Sequence, residues 1–429
     1  MANLPLRAKR RLVTTVGEIF ADGSVLELVT SASSGRLVLL FHSAGKQKIA
    51  SQIEHSGRIY QPPDIDEGMA RAIRFPHDAK SYVSIGRLLR RISEFFERYA
   101  GLPQQESALI TAWAAGSWFP DCLSSPPTLL ISGPEMDDAI RLFRLLHCVC
   151  RRPVLLGDLS RSAFLALAPL GATLLINQPD LSPRLRALWG SSNYRGVHLF
   201  GSGKVRSVAS SKAVFLGMGD VRGDDGVHLA LPPVHRDLPP LDEYQLSEIA
   251  QELQSRLLMY RLRNLDDVRK FSPSKLGSIF VGSEVARNLA AGVLGEAEIL
   301  EPLARVLRRL EQDSIAQRGC DVHLAMIEVA WAPSHADREL SISRLTDLTN
   351  TLLRLSGETL EYSTVEIGWK LRNFGFRHHR NGRGMVLQLS YENRLLLHQL
   401  AARLSLNLPP VADCALCSPQ EAVDSRELM

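Results

Sequence analysis

Apolar residues along this chain change rhythm several times, and each change marks a region. Through residues 12–84 they come in short, partly alternating runs. Residues 16–20, 24–30 and 36–42 have strand character, parted by Ala21-Asp22-Gly23 and by the Ser/Gly-rich stretch 31–35. This predicts a β-rich N-terminal module over 1–84, with an irregular connector beginning at Gln61-Pro62-Pro63. From 85 to 99 the period becomes helical: Leu88, Leu89, Ile92, Phe95 and Phe96 share one side, and Arg87, Arg90, Arg91 and Arg98 line the other. That charged side reads as a solvated face or as a phosphate-binding one. Residues 106–235 then alternate helix with short unbroken apolar runs at 128–132, 154–156, 173–176, 196–200 and 213–217. Such runs suit a parallel sheet covered on both faces. Pro232-Pro233 and Pro239-Pro240 mark a boundary. Helical spacing resumes at 241–265, through Leu246, Ile249, Leu253, Leu257 and Leu258, and again at 299–310.

The C-terminal third carries a different order. Residues 342–355 form one predicted helix, and Ser363 caps a second over 364–373 that closes at Gly375. Strands at 376–380 and 384–389 flank Asn381-Gly382, a strong hairpin signal, and a last helix covers 393–404. Helix, helix, hairpin and helix is winged-helix order, assigned to 336–406, with a tail over 407–429. Lys370, Arg372, Arg377, Arg380 and Arg383 fall here with no acid between the first and the last, and His378 and His379 add donors. On a winged helix the second helix enters the major groove and the hairpin meets phosphate or minor groove. Cations at both places would neutralise the backbone and make binding salt-sensitive. The competing expectation is a winged helix for protein contacts, with its cations solvated.

Composition narrows the classes. A chain of 429 residues allows two to four domains, and 45% hydrophobic with 22% charged residues is ordinary for a globular protein. A net charge of +4 permits nucleic-acid binding without requiring it. After Arg7, Lys9, Arg10 and Arg11 no continuous apolar run follows, so no secretory signal is expected, and no stretch reaches membrane-spanning length. The expected location is the cytoplasm, where six cysteines in so long a chain stay reduced. Cys414 and Cys417 form a CxxC without a second pair at zinc-ribbon spacing. Cys148 and Cys150 sit in an apolar helix, and Cys122 and Cys320 stand apart. A zinc site needs about four ligands, so these thiols are read as buried or tail residues and no metal is expected.

The most informative chemistry lies at 128–140. An apolar strand runs into Gly133-Pro134, the frame of a phosphate-binding loop of the form GxxxxGK[ST]. Asp138 stands at the second glycine, Ala139 at the lysine and Ile140 at the Mg²⁺-binding hydroxyl, while Asp137 and Asp138 add negative charge. The run 173–176 resembles the strand that normally ends in Asp-Glu, yet Asn177 and Gln178 follow it. Amides keep the shape of those acids but neither hold a hard cation nor activate water. Ser-Gly-Pro is also an ordinary strand-to-turn junction. Gly201-Ser202-Gly203-Lys204 is a weaker nucleotide-loop look-alike.

From about Ser107 to Gly219, with the helical region and basic C-terminal module that follow, the chain resembles the P-loop ATPases of phages and mobile elements, of the AAA+ and replicative-helicase-like kind. The supporting order is a helix with Trp113 and Trp118, strand, Gly-Pro loop, helix, Arg151-Arg152-Pro153, strand, and a second acidic-type strand about forty residues after the loop. The resemblance implies an α/β fold: a P-loop NTPase-like parallel-sheet core over 85–240, after the β-rich N-terminal module and before a helical lid or collar over 241–335 and the C-terminal winged helix. It also implies ring-like homo-oligomers and an arginine finger, for which Arg195 and Arg222 lie in plausible loops. With the lysine, hydroxyl and both acids changed, ATPase activity does not carry over: no cofactor is expected, and ATP/Mg is not expected to be hydrolysed.

The expectation is a non-catalytic DNA-binding scaffold for replication, maintenance or transfer of a mobile element. It would act as a homo-oligomer or in a hetero-complex with an active ATPase, and away from membranes. Alternatives are an active motor (a DNA-dependent ATPase with an unconventional site) or nuclease-like enzyme, for which Asp220, Asp224 and Asp225 are candidate acids, and a ligand-responsive transcription regulator.

Overall fold

The computed structural model describes residues 11–178, 197–201, 204–207, 210–217, 226–231, 238–318, 321–382, 384–404, 406, 408–411 and 414–417. The chain divides into two compact units, Met1–Arg308 and Arg309–Met429.

The first unit opens with β1 (Arg11–Thr14) and an antiparallel meander of β2 (Gly17–Ile19), β3 (Val25–Thr30), β4 (Leu37–Ser43) and β5 (Lys46–Ala50). β6 (Ile53–His55) and β7 (Arg58–Gln61) follow, and β1 pairs with β7 in a second small sheet. The sequence points to three of these strands. β1 and β5–β7 are missed because charged and polar residues fill their exposed positions, as in Lys46-Gln47-Lys48. Leu26, Leu28, Leu39, Ile53 and Tyr60 share one core with Val154, Phe164, Leu174 and Val214, so this β region packs on the α/β sheet rather than standing apart.

Glu27 ties that packing together. It sits in the middle of β3, 2% exposed, and accepts hydrogen bonds from Arg151 (3.0 Å to each carboxylate oxygen), Arg152 (2.7 Å) and Arg261 (2.6 Å). Arg261 also donates to Asp121 at 2.6 and 2.7 Å. Burial alone would raise the Glu27 carboxyl, but Arg151, Arg261 and Arg152 outweigh it and hold the group down at about 2.

Helices α1 (Glu67–Ala72), α2 (Ile85–Ala100) and α3 (Gln104–Gly116) lead into the central sheet. Ser84 caps α2, and Gly101 ends it in the left-handed region at φ 66°. The α2 arginines meet acids: Arg90 pairs with Glu298, and Arg91 with Glu252 at 2.5 Å. The indoles of Trp113 and Trp118 are buried and donate to the Pro127 and Val149 carbonyls. Then come β8 (Thr128–Ser132), α4 (Met136–Val149), β9 (Pro153–Leu156), α5 (Arg161–Leu167) and β10 (Thr173–Ile176). A hairpin of β11 (His198–Gly201) and β12 (Lys204–Ser207) precedes β13 (Lys212–Phe215) and β14 (Gly226–Ala230).

The sheet order is β14-β8-β13-β10-β9, and every pairing is parallel. The architecture is mixed α/β with a five-stranded parallel sheet, consistent with a P-loop-like core. Two sequence expectations change. The strand expected at 196–200 is not in the sheet: His198–Gly201 is an arm of the separate two-stranded hairpin. The fifth sheet strand is Gly226–Ala230, whose Gly226 and His228 interrupt the apolar run that would have revealed it. Helices α6 (Glu243–Arg269), α7 (Ser278–Gly282), α8 (Glu284–Gly292) and α9 (Ala297–Arg318) follow, in the region expected to be helical.

The second unit contains α10 (Val322–Ala336), β15 (Glu339–Ser341), α11 (Ile342–Leu355), α12 (Thr364–Phe374), the hairpin β16 (His378–Asn381) and β17 (Gly384–Gln388), and α13 (Tyr391–Arg403). β15 joins the hairpin in an antiparallel sheet of order β15-β17-β16. Ser363 and Glu366 form a reciprocal capping box at the start of α12, and Gly375 closes it at φ 95°. Buried Asn393 fastens the hairpin base to α13: it accepts from the Arg377 N–H and donates to the Arg377 and Gln388 carbonyls.

Candidate functional site

Only Gly133, Pro134 and Glu135 separate the end of β8 from the start of α4. A phosphate cradle needs a longer loop whose N–H groups converge on the anion. Here the Gly133 N–H donates to the Gly217 carbonyl at 3.1 Å. A Cβ at Gly133 would lie 3.0 Å from the Leu231 Cβ, so the glycine is explained by close packing. Asp138, Ala139 and Ile140 are already in the first turns of α4, and Ala139 is fully buried. Glu135, Asp137 and Asp138 surround the helix N-terminus, where an anion would otherwise be welcome. Asp138 is pushed above its ordinary value by burial and then by Glu135 and Asp137.

At the edge of β10, the Asn177 N–H donates to the Leu156 carbonyl at 2.8 Å. Its side-chain oxygen is buried with no hydrogen-bond partner among the described residues. The Gln178 side-chain oxygen accepts from the Leu159 N–H at 3.1 Å and so shapes the loop ahead of α5. Between β8 and β14, Ser132 Oγ lies 2.9 Å from His228 Nε2, and burial lowers that histidine. Gly201 and Lys204 pair across the β11–β12 hairpin, which is not a strand-to-helix loop. Arg195, Arg222, Asp220, Asp224 and Asp225 lie outside the described residues.

In the second unit the basic residues spread over α12 and the hairpin. Lys370 is half-buried, over the Tyr362 ring and 3.5 Å from His323 Nε2. Arg372 is exposed and stacks on Trp369, with its guanidinium 5.2 Å from the ring centroid. Arg377 pairs with Glu392 at 3.0 Å, and His379 lies 3.9 Å from Glu339. His378 opens β16 and Arg380 is exposed on it, while Arg383 lies outside the described residues. The fold thus brings two acids to an acid-free stretch of sequence. Both pairs are exposed, where an ion pair contributes about 0–1 kcal/mol and competes weakly with phosphate.

Sequence reasoning missed the outward face of α12. Ile367 and Leu371 are buried, whereas Val365 and Trp369, one turn apart, are 67% and 59% exposed. Helical spacing from Ile367 would have pointed to them. Sequence reasoning also missed the one group among the described residues that could hold a metal ion: His335, His398, Cys414 and Cys417. No helix among the described residues is long and apolar enough to cross a membrane.

No known protein family and no curated protein matches the chain. Among solved structures, an apo form of the NrS-1 C-terminal region is similar at 9% identity and TM-score 0.37, covering 84% of this chain and 96% of that one. A full-length MCM homologue from Methanopyrus kandleri is similar at 12% identity and TM-score 0.31, covering 66% and 74%. Resemblance this slight carries neither fold nor function to the chain.

Proposed function

We propose that this chain is a non-catalytic DNA-binding scaffold. Its α/β core is a P-loop-like domain that no longer turns over nucleotide, and its second unit works as a winged helix, with α12 toward the major groove and the β16–β17 hairpin toward the backbone. The observation that carries the first half is the junction at Gly133: a three-residue link ringed by acids, with buried Ala139 where a phosphate-binding lysine would stand. Support for the second half is the set of exposed cations Arg372, Arg377 and Arg380 on adjoining elements. The family resemblance in the sequence suggests service in replication, maintenance or transfer of a mobile element, with copies of itself or with an active ATPase.

Calorimetry with Mg·ATP and salt-titrated anisotropy with labelled DNA, on one preparation, test both halves. No nucleotide binding, with salt-dependent DNA binding lost on replacing Arg377, Arg380 and Arg383, is the expected result. Micromolar Mg·ATP binding would overturn the first half. The exposed Val365–Trp369 pair favours a second reading, in which α12 docks a protein. DNA binding that fails at low salt while Trp369 remains exposed would favour it.

A further inference from the structure

The chain beyond α13 is held against its own unit. Leu404, Leu406 and Leu408 pack on the core, Trp331 Nε1 donates to the Pro409 carbonyl at 2.9 Å, and the Leu406 N–H donates to the Ala401 carbonyl. The backbone then turns: the Cys414 N–H donates to the Val411 carbonyl at 3.1 Å, and the Cys417 N–H to the Cys414 carbonyl at 3.0 Å. This turn delivers both thiols to His335, in the last turn of α10, and His398, within α13.

The four ligand atoms lie within 4.8 Å of one another. His335 Nε2 is 3.1 Å from His398 Nε2, Cys417 Sγ is 3.4 Å from His335 Nε2, and Cys414 Sγ and Cys417 Sγ are 3.7 and 4.0 Å from His398 Nε2. A tetrahedron with zinc–nitrogen and zinc–sulfur bonds of ordinary length has edges of about 3.3 Å for N–N and about 3.6 Å for N–S. The observed edges straddle those values.

The surroundings prepare the ligands. His335 Nδ1 lies 2.8 Å from the Trp331 carbonyl, which can only accept, so the ring carries its proton there and turns the bare Nε2 lone pair to the cluster. Trp331 packs on both imidazoles, with ring centroids 4.9 and 4.4 Å away.

We propose that His335, His398, Cys414 and Cys417 bind one zinc ion that staples the tail segment around 406–417 to α10 and α13. Two thiolates and two imidazoles at tetrahedral spacing suit zinc, and four protein ligands leave no open position for a substrate or water, so the site is structural. Binding releases the two thiol protons to solvent. The inference does not rest on DNA binding by this unit.

The full chain, purified under reducing conditions without chelator, is expected to carry about one zinc per chain by elemental analysis. After metal removal, added Co²⁺ should give visible d–d bands and a near-ultraviolet thiolate charge-transfer band, and Zn²⁺ should abolish both. Cys414→Ser with Cys417→Ser removes the charge-transfer band, whereas Cys122→Ser keeps it. The cobalt spectrum of the unaltered chain needs no variant to fold. A reduced chain that gives no saturable cobalt–thiolate band, or a band that survives in the double variant, would overturn the proposal. So would a Cys414–Cys417 disulfide that persists under reductant.

Discussion

Glu27→Gln keeps the volume of the side chain and removes its charge, which leaves Arg151, Arg152 and Arg261 facing one another in a buried space with Asp121 as the remaining acid. The Glu27 carboxyl is held at about 2 against an ordinary 4.5, a difference equivalent to about 3 kcal/mol in favour of the ionised, arginine-bound form. Breaking a buried ion pair by deleting one partner typically costs about 3–5 kcal/mol, so the two routes agree. With a urea dependence of about 3 kcal/mol per molar, the unfolding midpoint should fall by about 1 M or more. Urea titration followed by far-ultraviolet circular dichroism measures it, and hydrogen exchange in peptides covering 25–30 and 254–262 localises it. Arg151 donates to both oxygens of Glu27, so adding Arg151→Met to Glu27→Gln should recover part of the loss. Because the folded-state value is depressed, this stabilisation is complete above about pH 4.5 and is lost as pH falls toward about 2. Glu27→Gln should lack that acid limb. A midpoint shift below about 0.3 M, with unchanged exchange in β3, would refute the assignment of this cluster as the tie between the N-terminal strands and the sheet.

Three further outcomes are expected. Ala139→Lys should not create Mg·ATP binding and should lower stability by about 3 kcal/mol or more, because it forces a charge into a fully buried position; a thermal midpoint raised by Mg·ATP in that variant would contradict this. Arg377→Ala and Arg380→Ala should each make the log–log salt dependence of DNA binding shallower by about one, and a loss confined to one DNA sequence would instead mean base contact. Trp369→Ala should leave the urea midpoint within the equivalent of about 0.5 kcal/mol, since its ring is exposed. A larger drop would place that ring in a packed core.

The sequence was most legible where local signals agree with tertiary packing. The helix at 342–355 matches Ile342–Leu355, and the second helix, from its Ser363 cap to Gly375, falls within one residue, because capping box, apolar spacing and left-handed stop all act within a few residues of the chain. The strands at 128–132 and 173–176 were equally plain, as unbroken apolar runs buried on both faces. Features made by distant residues were not legible. Glu27 is a charge interrupting Val-Leu-Glu-Leu-Val, and Arg151-Arg152 is no more than a link between helix and strand, until the fold supplies each to the other. His335 and His398 look like ordinary helix residues, and nothing in their spacing points to the tail cysteines. At Gly133 the sequence shows a strand-to-helix turn, and the fold supplies a cause for the glycine that the sequence does not, its close approach to Leu231.

The short link between β8 and α4 also bears on the history open to this chain. In GxxxxGK[ST], five or so residues beyond the first glycine lie between strand and lysine as a wrapped loop, whereas here the helix has begun by Met136. Point substitutions can place a glycine, a lysine and a threonine at 138–140, but they cannot lengthen the backbone or free the Gly133 N–H from Gly217. A nucleotide pocket could form here only by an insertion that also withdraws the first turn of α4. Descendants of this sequence that drift by substitution alone would keep the closed junction, and its length would be a more durable lineage marker than any residue within it.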